Sequence, residues 1–541
     1  MKKWIQENQR VLVAGIIILV IHIILILIFG MQKEGFHEDE LYSFTTSSGI
    51  KDIAPSGNYI WKSGYQIQQE FMVIEGEEFL FDKVIWNQSQ DVHPPLYYLC
   101  LNIVMSLLSN RFYKWFGIGL NLLFSMVTYF AVIFFFYNLD NSQKKELYAL
   151  IAGAVYAISP ITISNIMLTR MYALSSMWTM LYACLFLMLM KDISCSKKRY
   201  GIYIILGAVI CYMAFLTHYF ALLLPFCFTL SYCIYVAVCR RVHFLRMLIY
   251  GMAMVVAIVL AIISYPASWQ HIFHGYRGQG TFDLLLSKDL FSSTKTFLGI
   301  LNENMFSGLL YIYIVIIMVV LVAGIVRVVC LKNISSSAKL MIYNTATSII
   351  GCIITTYFLT RTALLVGADS CRFFYPVMVL MVPLAAYCVC KTVYELWKAV
   401  VPGKTESYRY VLPLLSLLVL VPGVIGFAGG NVLFLYKDNA SKKTLIQEYQ
   451  QYPAIVVYDS NAPYRSWYMT DQLWMFPQVF YLDSAHFQAG FQGEIIQSAD
   501  KLVVYVDAPP EYLDKLKDMN SELESIELLW KEKFFFVYGL E

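Results

Sequence analysis

Residues 37–40 place one imidazole and three carboxylates side by side, directly after a long apolar segment. Neighbouring carboxylates can share a cation or raise one another's pKa. Such a group suits a general base that takes a proton from a hydroxyl, or a metal site. The alternative is an ordinary solvated loop start. The titratable residues are His37, Glu38, Asp39 and Glu40.

A second polar cluster follows in DVHPPLYYL, residues 91–99. Two prolines stiffen the entry into a helix and thereby fix where Asp91 and His93 point. The alternative is a capped helix start without chemistry. Both acidic clusters lie in the segment 31–114 between two apolar spans, so we expect them on the same side of a membrane.

Two arginine and tyrosine pairs stand at boundaries of apolar segments, Arg170 with Tyr172 and Arg372 with Tyr375. Arg361 lies near the second pair. A guanidinium at a membrane surface can bind a lipid phosphate. The alternative is an arginine that only extends its charge to the headgroups.

Histidines mark two further boundaries. His218 follows an apolar segment in THYF, although a lone histidine is more often structural. The glycine-containing segment 269–280 suits either a mobile lid or an ordinary amphipathic loop. Its polar candidates are His271, His274, Tyr276 and Arg277.

The composition places these residues in a membrane protein. With 59% apolar and 14% charged residues, the chain has too little polar surface for a soluble globule. Apolar runs of about 20 residues, which as helices cross a bilayer, recur along the chain. The net charge of +3, without a basic arm, argues against a nucleic-acid partner. Eleven spans are predicted, at about 11–30, 115–137, 147–168, 172–190, 201–217, 220–238, 247–265, 307–326, 340–360, 373–390 and 411–433.

Basic residues set the orientation. Five connections that are rich in lysine and arginine fall on one side of this scheme, which the positive-inside rule assigns to the cytoplasm. The segment 96–108 is too short for a span, and counting it would turn all five outward, so we predict a helix in the outer interface. The basic connections are those around Lys144, Lys198, Arg240, Arg327 and Lys398.

The predicted architecture is an α-helical polytopic module, residues 1–433, followed by a small extracytoplasmic α/β domain, residues 434–541. Residues 31–114 and 266–306 form outer loops of the module. Short apolar runs at 454–458, 479–482, 502–506 and 534–538 predict strands, and 511–519 predicts a helix. No glycine-rich phosphate loop opens a helix there. Cysteines are absent from 31–92 and 434–541 and form no CxxC, so neither disulfides nor a zinc site are expected.

The order of these motifs resembles the family 39-like GT-C glycosyltransferases, which include the protein O-mannosyltransferases and the bacterial aminoarabinose transferases. The DE pair after the first helix, HPP downstream, R-x-Y after the third span and a late R-x-x-Y-x-P carry the resemblance, over about residues 1–400. The C-terminal domain adds nothing diagnostic.

The resemblance implies roles for individual residues. It gives Asp39 the leading catalytic role, Glu40 a supporting one, and Asp91 a place near the acceptor or a metal ion. His93 matches a position that is His in some relatives and Lys in others, and a divalent metal bridging Asp39 and Asp91 is left open. The substrate-binding candidates are His37, His93, Arg170, Tyr172, His218, Arg361, Arg372 and Tyr375.

The implied donor is a sugar on a polyprenyl phosphate, and the acceptor is a protein, a lipid or a cell-wall glycan. The implied transfer takes place on the extracytoplasmic face of a plasma membrane, which we expect to be bacterial, and inverts the anomeric carbon. The alternatives are a lipid or glycan transporter, a glycan polymerase or ligase, and a non-catalytic scaffold. A transporter should carry ionisable groups near mid-bilayer and repeated halves; the sequence shows its acidic residues gathered at one face instead.

Overall fold

The computed structural model describes residues 9–49, 60–275, 278–280, 290–316, 335–362, 367–400, 408–486, 499–507 and 525–541, with single residues at 283, 318, 319, 322 and 513. The chain divides into two compact units. The first comprises residues 1–30, 88–97 and 117–433, and the second comprises residues 31–87, 98–116 and 434–541. The early loop thus groups with the C-terminal domain rather than with the spans that flank it.

The first unit is helical. It contains long helices that are apolar along their length, as a membrane-spanning helix must be, and shorter helices between them. In chain order they are α1 (Gln9–Met31), α6 (Lys114–Leu139), α7 (Lys145–Ala157), α8 (Pro160–Met167), α9 (Tyr172–Lys191), α10 (Lys197–Thr217), α11 (Leu223–Cys239), α12 (Phe244–Ser264), α13 (Ala267–Phe273), α14 (Leu290–Asn304), α15 (Ser336–Thr362), α16 (Tyr375–Val400) and α17 (Tyr408–Ala428). The shorter helices α2 to α5, between α1 and α6, are Glu38–Ser48, Gly64–Gln69, Phe81–Gln90 and Leu96–Ser106.

The described residues contain nine helices that are long and apolar enough to cross a membrane, and ten spans if the bent pair α7 and α8 counts as one. The helices α9 and α16 are mostly buried, whereas α1 and α17 expose most of their apolar side chains, as helices facing lipid do. The chain is therefore a multi-pass membrane protein. The predicted span 307–326 lies partly outside the described residues, and its residues 310–316 are helical. The segment 96–108 contains only the 11-residue helix α5.

Buried polar contacts tie the helices of the first unit together. His22 of α1 hydrogen bonds through Nε2 with Ser125 Oγ at 2.8 Å, and its Nδ1 lies 2.9 Å from the Ala157 carbonyl. At the end of α6, Asp140 accepts hydrogen bonds from Tyr387 and Lys391 of α16. These buried polar side chains thus have polar partners, as the low dielectric of the interior favours.

The second unit contains a five-stranded sheet in the order β2-β1-β3-β5-β4. The strands are β1 (Ala454–Tyr458), β2 (Val479–Asp483), β3 (Leu502–Val506), β4 (Ile526–Lys531) and β5 (Phe536–Leu540). β1 pairs in parallel with β2 and β3, and β5 runs antiparallel to β3 and β4. Helix α18 (Asn439–Tyr449) precedes the sheet, and a 3₁₀ turn (Pro463–Met469) leads into α19 (Thr470–Leu473) between β1 and β2.

The pattern of strands follows their burial. All residues of β1 and β3 are buried, which explains their uninterrupted apolar sequences. The edge strand β4 is mostly exposed. Its charged residues interrupt the apolar run, so the sequence did not predict this strand. From the early loop, Lys62 pairs with Val479 through two backbone hydrogen bonds and extends the β2 edge of the sheet. The predicted helix at 511–519 lies outside the described residues except Leu513.

Candidate functional site

In the first unit, Asp91, His93 and Arg170 form one chain of contacts. Asp91 Oδ2 lies 2.7 Å from His93 Nδ1, and Arg170 Nη2 lies 3.5 Å from His93 Nε2. His93 can donate from Nδ1 to Asp91 Oδ2, and Arg170 Nη2 lies at the other nitrogen of the same ring. The arrangement links the second acidic motif to the first arginine motif, 77 residues further along the chain.

Charge interactions decide the state of Asp91. Burial by itself raises the pKa of this carboxyl, but the charges of His93 and Arg170 and hydrogen bonds from His93 and the Val92 amide outweigh burial. The pKa of Asp91 therefore lies below its ordinary value, and the group is ionised at neutral pH. This makes Asp91 a counter-ion for Arg170 and a weak proton acceptor.

Histidine and tyrosine side chains surround this contact chain. The rings of His93 and His218 stack with centroids 6.2 Å apart, and the Tyr265 hydroxyl lies 3.4 Å from the His93 carbonyl. Burial, and then the charges of His93 and Arg170, lower the pKa of His218 to about 3. His218 is therefore a neutral ring at physiological pH. It can donate one hydrogen bond and adds no positive charge to the site.

His271 of the predicted lid segment lies in helix α13 and is buried. Its Nε2 faces the Ser89 carbonyl at 3.2 Å, and its Nδ1 faces the Tyr219 hydroxyl at 3.0 Å. Burial is the largest cause of the lowered pKa of His271. His271 is therefore packed within the first unit. Tyr276 and Arg277 lie outside the described residues.

Arg170 is held at the break between α8 and α9. Asn121 of α6 donates from Nδ2 to the carbonyls of Ile166 and Leu168, at 3.2 and 2.7 Å, and so satisfies carbonyls at the end of α8. The Tyr97 hydroxyl donates to Asn121 Oδ1. The turn that carries Arg170, which is 3% exposed, is therefore fixed from helices α5 and α6.

Gly117 in α6 allows the turn that carries Arg170 to pack closely against this helix. A Cβ at Gly117 would lie 2.1 Å from Thr169 Oγ1, whereas a Cβ at Gly119 would meet nothing within 4 Å. We expect Gly117→Ala to cost about 1–3 kcal/mol of stability and to displace the turn before Arg170. Gly119→Ala is the matched control and should behave as wild type in thermal unfolding. Equal melting temperatures for the two variants would contradict this packing.

The second arginine and tyrosine pair lies in the same unit. Arg372 is 8% exposed and stacks over Phe373, with Cζ 5.2 Å from the ring centroid. Tyr375 begins α16, and its ring centroid lies 6.4 Å from that of Tyr172. The structure therefore brings the tyrosines of the two pairs together. Arg361, in the last turn of α15, is also buried.

In the second unit, the HEDE residues form the start of α2. His37 is the N-cap: its Nδ1 accepts from the Asp39 amide at 3.0 Å, and Glu40 Oε2 accepts from the His37 amide at 2.9 Å. This reciprocal pair is a capping box. The side chain of Glu40 is fully buried, whereas 24% of the Asp39 side chain remains exposed. Of these two carboxylates, Asp39 is the one that a substrate can reach.

Sequence reasoning missed Lys33, which is buried beside Glu40. Its Nζ donates to Glu40 Oε2 at 2.8 Å and to the Phe434 carbonyl at 2.6 Å. The signal was a lysine just after the first helix, but one of its two partners, the Phe434 carbonyl, is 401 residues away. Asn121 was missed for the same reason, because an asparagine within a span shows no function until its carbonyl partners are known.

Asp471 of α19 is a buried acid in the second unit. Burial, opposed by Lys443 and by a hydrogen bond from Asn439, raises its pKa to about 6. A carboxyl whose pKa is raised from 3.8 on folding favours the folded state at low pH, and this contribution is lost as pH rises through about 4 to 6. The loss amounts to about 3 kcal/mol.

We therefore expect Asp471→Asn to remove this pH dependence. Measured between pH 4 and 7, the melting temperature of the variant should rise relative to that of wild type as the pH increases. Asp438→Asn, at an exposed position, is the control and should follow wild type. A constant difference between Asp471→Asn and wild type over this range would refute the assignment.

Among the described residues, no group of three or more His, Cys, Asp or Glu side chains is arranged to hold a metal ion. Asp39 belongs to the second unit and Asp91 to the first. Asp91 is already engaged by His93. The bridging metal therefore stays a prediction, and no chemical step below uses it.

No protein-family model matches the chain, and no curated protein is similar to it in sequence. Solved structures are similar to it in fold. The aminoarabinose transferase ArnT from Cupriavidus metallidurans bound to undecaprenyl phosphate is 11% identical, with a TM-score of 0.52 over 98% of each chain. The archaeal oligosaccharyltransferase AglB from Archaeoglobus fulgidus, in complex with an inhibitory peptide and a dolichol-phosphate, is 11% identical, with a TM-score of 0.45 over 93% of this chain and 70% of that one. The similarity to ArnT confirms the helical membrane fold that the residue pattern predicted: the chain shares the fold of this solved structure.

Proposed function

We propose that this protein is a membrane glycosyltransferase that moves a sugar from a polyprenyl-phosphate donor to an acceptor on the extracytoplasmic face, with inversion at the anomeric carbon. The observation that carries the proposal is a buried guanidinium, Arg170, that contacts His93, which in turn pairs with Asp91, within a GT-C fold. The structure of ArnT with undecaprenyl phosphate supports a lipid phosphate as the group that this fold binds.

The donor phosphate needs cations that do not move. Breaking the bond between the sugar C1 and the phosphate oxygen leaves a polyprenyl phosphate with increased negative charge. A guanidinium fixed before the reaction stabilises this charge without reorganisation. Arg170 meets this condition because the α8–α9 turn and His93 both hold it, and Arg372 is the second cation that we assign to the phosphate. Arg361 is assigned to the same group.

The acceptor hydroxyl must lose its proton as it attacks. In the proposed step, Asp39 takes this proton while the hydroxyl oxygen bonds to the sugar C1 from the face opposite the leaving phosphate. The products are a glycosylated acceptor, a protonated Asp39 and polyprenyl phosphate. Asp39 suits this role because it is accessible while its neighbour Glu40 is buried in an ion pair.

The proposed orientation follows from the basic connections and places the N-terminus in the cytoplasm and the C-terminal domain outside. The proposed location is a bacterial plasma membrane. A lipid-linked donor fits that side, because nucleotide sugars are not available there.

Cysteine labelling tests this orientation. The chain contains 12 native cysteines, so labelling needs a cysteine-free background. A cysteine introduced at Glu38 should react with an impermeant maleimide in intact cells. Reaction only after the cells are opened would remove the proposed site.

A divalent ion bound by Asp39 and Asp91 is a separate proposal that rests on carboxylate chemistry. Metal analysis of the purified protein tests it. One equivalent of a divalent ion, lost in both Asp39→Asn and Asp91→Asn, supports the ion, and its absence from active wild-type protein removes it.

The function itself is tested in cells that lack the gene. The transferase hypothesis predicts loss of one surface glycan and accumulation of a polyprenyl-phosphate sugar in the outer leaflet, where periodate reaches it in intact cells. A lipid transporter would instead leave the lipid-linked sugar in the inner leaflet, protected from periodate. A polymerase or ligase would leave a lipid-linked oligosaccharide in place of the single sugar. Unchanged lipid-linked sugars and glycans would refute the proposal.

A further inference from the structure

Lys33 is an unusual residue for a loop, because its charged end is fully buried in the second unit. A buried ammonium is costly unless its protons have partners. Here they are directed to the Glu40 carboxylate and the Phe434 carbonyl, and the rings of Phe36 and Tyr436 each lie 5.5 Å from Nζ. The partners come from two distant parts of the chain, the start of α2 and the first residues after the spans.

The Glu40 carboxylate that receives Lys33 also holds the first turn of α2. Glu40 Oε2 accepts from the His37 amide, and His37 Nδ1 accepts from the Asp39 amide. The position of the Asp39 backbone thus depends on the His37 cap, which depends on Glu40. Lys33 fixes Glu40 in turn. Three hydrogen bonds therefore connect Lys33, through Glu40 and His37, to Asp39, the residue that we assign as the base.

The same two parts of the chain are joined independently of Lys33. The Glu34 amide donates to the Leu435 carbonyl at 2.7 Å. A Cβ at Gly35 would lie 2.3 Å from Asn439 Nδ2 and 2.9 Å from Tyr436 Cβ, so only glycine fits at this crossing. Residues 33–35 and 434–439 therefore form a close junction with backbone, side-chain and steric components.

Further along, α2 packs on the C-terminal domain. The ring of Tyr42, one turn after Asp39, lies 5.7 Å from that of Trp467 in the Pro463–Met469 turn. Phe36, just before α2, lies 6.4 Å from Trp474. The helix that carries Asp39 is thus held at its start by Lys33 and along its side by the C-terminal domain.

We propose that Lys33 is a positioning residue of the transferase, and that through it the C-terminal domain sets the orientation of Asp39. The kinetic part of this inference rests on the proposed function. The role assigned to the domain is mechanical: residues 434–439 supply the carbonyl and the steric wall against which Lys33 and Glu40 hold the first turn of α2.

The test uses the full-length protein in nanodiscs, with the lipid-linked sugar that accumulates in the deletion strain as donor. Lys33→Met alone removes the ammonium partner of the buried Glu40 carboxylate, which can prevent folding. The double variant Lys33→Met with Glu40→Gln avoids this, because the glutamine can still accept from the His37 amide. We expect the double variant to fold and to lose about 10- to 100-fold in kcat at nearly unchanged KM for the donor, the signature of a misplaced base.

Hydrogen exchange gives a readout that does not need activity. In the double variant, the amides of residues 38–41 should exchange faster than in wild type. Lys33→Arg, which keeps the charge, should restore part of kcat and of the protection. The control is Lys442→Met, which removes an ion pair with Glu532 inside the C-terminal domain and should leave kcat and exchange at α2 unchanged.

The outcomes separate this inference from the proposed function. Wild-type exchange at residues 38–41 and wild-type kcat in the double variant would overturn the role of Lys33. If wild-type protein transferred no sugar, the proposed function would fail. The exchange comparison would then still decide whether Lys33 orders the start of α2, and unchanged exchange would remove the inference entirely.

Discussion

Asp39→Asn should lower the rate of sugar transfer by roughly 10²- to 10⁴-fold, the contribution expected of a general base. Asparagine has the same shape as aspartate but cannot take the acceptor proton. The Asp39 amide, which binds His37, is unchanged by the substitution, so the first turn of α2 should persist. The measurement is release of polyprenyl phosphate in a single turnover, with enzyme in excess over the lipid-linked sugar.

Glu38→Gln is the matched control for this experiment. It removes one negative charge from the adjacent position of the same helix turn, so a general loss of acidity would affect both variants equally. We expect a rate within a few-fold of wild type for Glu38→Gln. If Asp39→Asn transferred sugar at the wild-type rate while normally folded, Asp39 would not be the base, and the proposed mechanism would need another proton acceptor.

The spans and most strands could be predicted from the sequence because each reflects a local property. Apolar length alone identified α6 and α9, and uninterrupted apolar runs identified β1 and β3. The short helix α5 was also predicted correctly as too short to cross, since 11 residues cannot reach across a bilayer. Strand β4 was not predicted, because an exposed edge strand has no apolar run.

The candidate site was only partly predictable. The residue types of Asp91, His93 and Arg170 indicated chemistry, but their mutual contact joins positions 77 residues apart and depends on how α8 ends. The local signal of Lys33 was only its position just after the first helix, because burial of its charge depends on both Glu40 and the distant Phe434 carbonyl. Local pattern thus indicated the candidate reactive groups, whereas the residues that position them became visible only in the folded chain.

Arg170→Gln should lower kcat/KM by roughly 10²- to 10³-fold, the loss that follows removal of one preorganised donor to a developing oxyanion. Glutamine keeps a polar side chain of intermediate length but has no charge and no planar fork. Arg170→Lys should be intermediate, because lysine keeps the charge and loses the paired geometry. The measurement is steady-state transfer at several concentrations of the lipid-linked donor.

The control for Arg170 is Arg199→Gln, which breaks an exposed ion pair with Asp192 and should leave kcat/KM near the wild-type value.

A second comparison tests the chain of contacts from Asp91 through His93 to Arg170. Asp91→Asn removes the counter-ion of Arg170, so its effect should largely disappear when Arg170 is already glutamine. If the losses in kcat/KM of Asp91→Asn and Arg170→Gln multiplied in the double variant, Asp91 would act independently of Arg170. Less-than-multiplicative losses in the double variant are expected, because in the proposed mechanism Asp91 and His93 act by orienting the Arg170 guanidinium toward the donor phosphate.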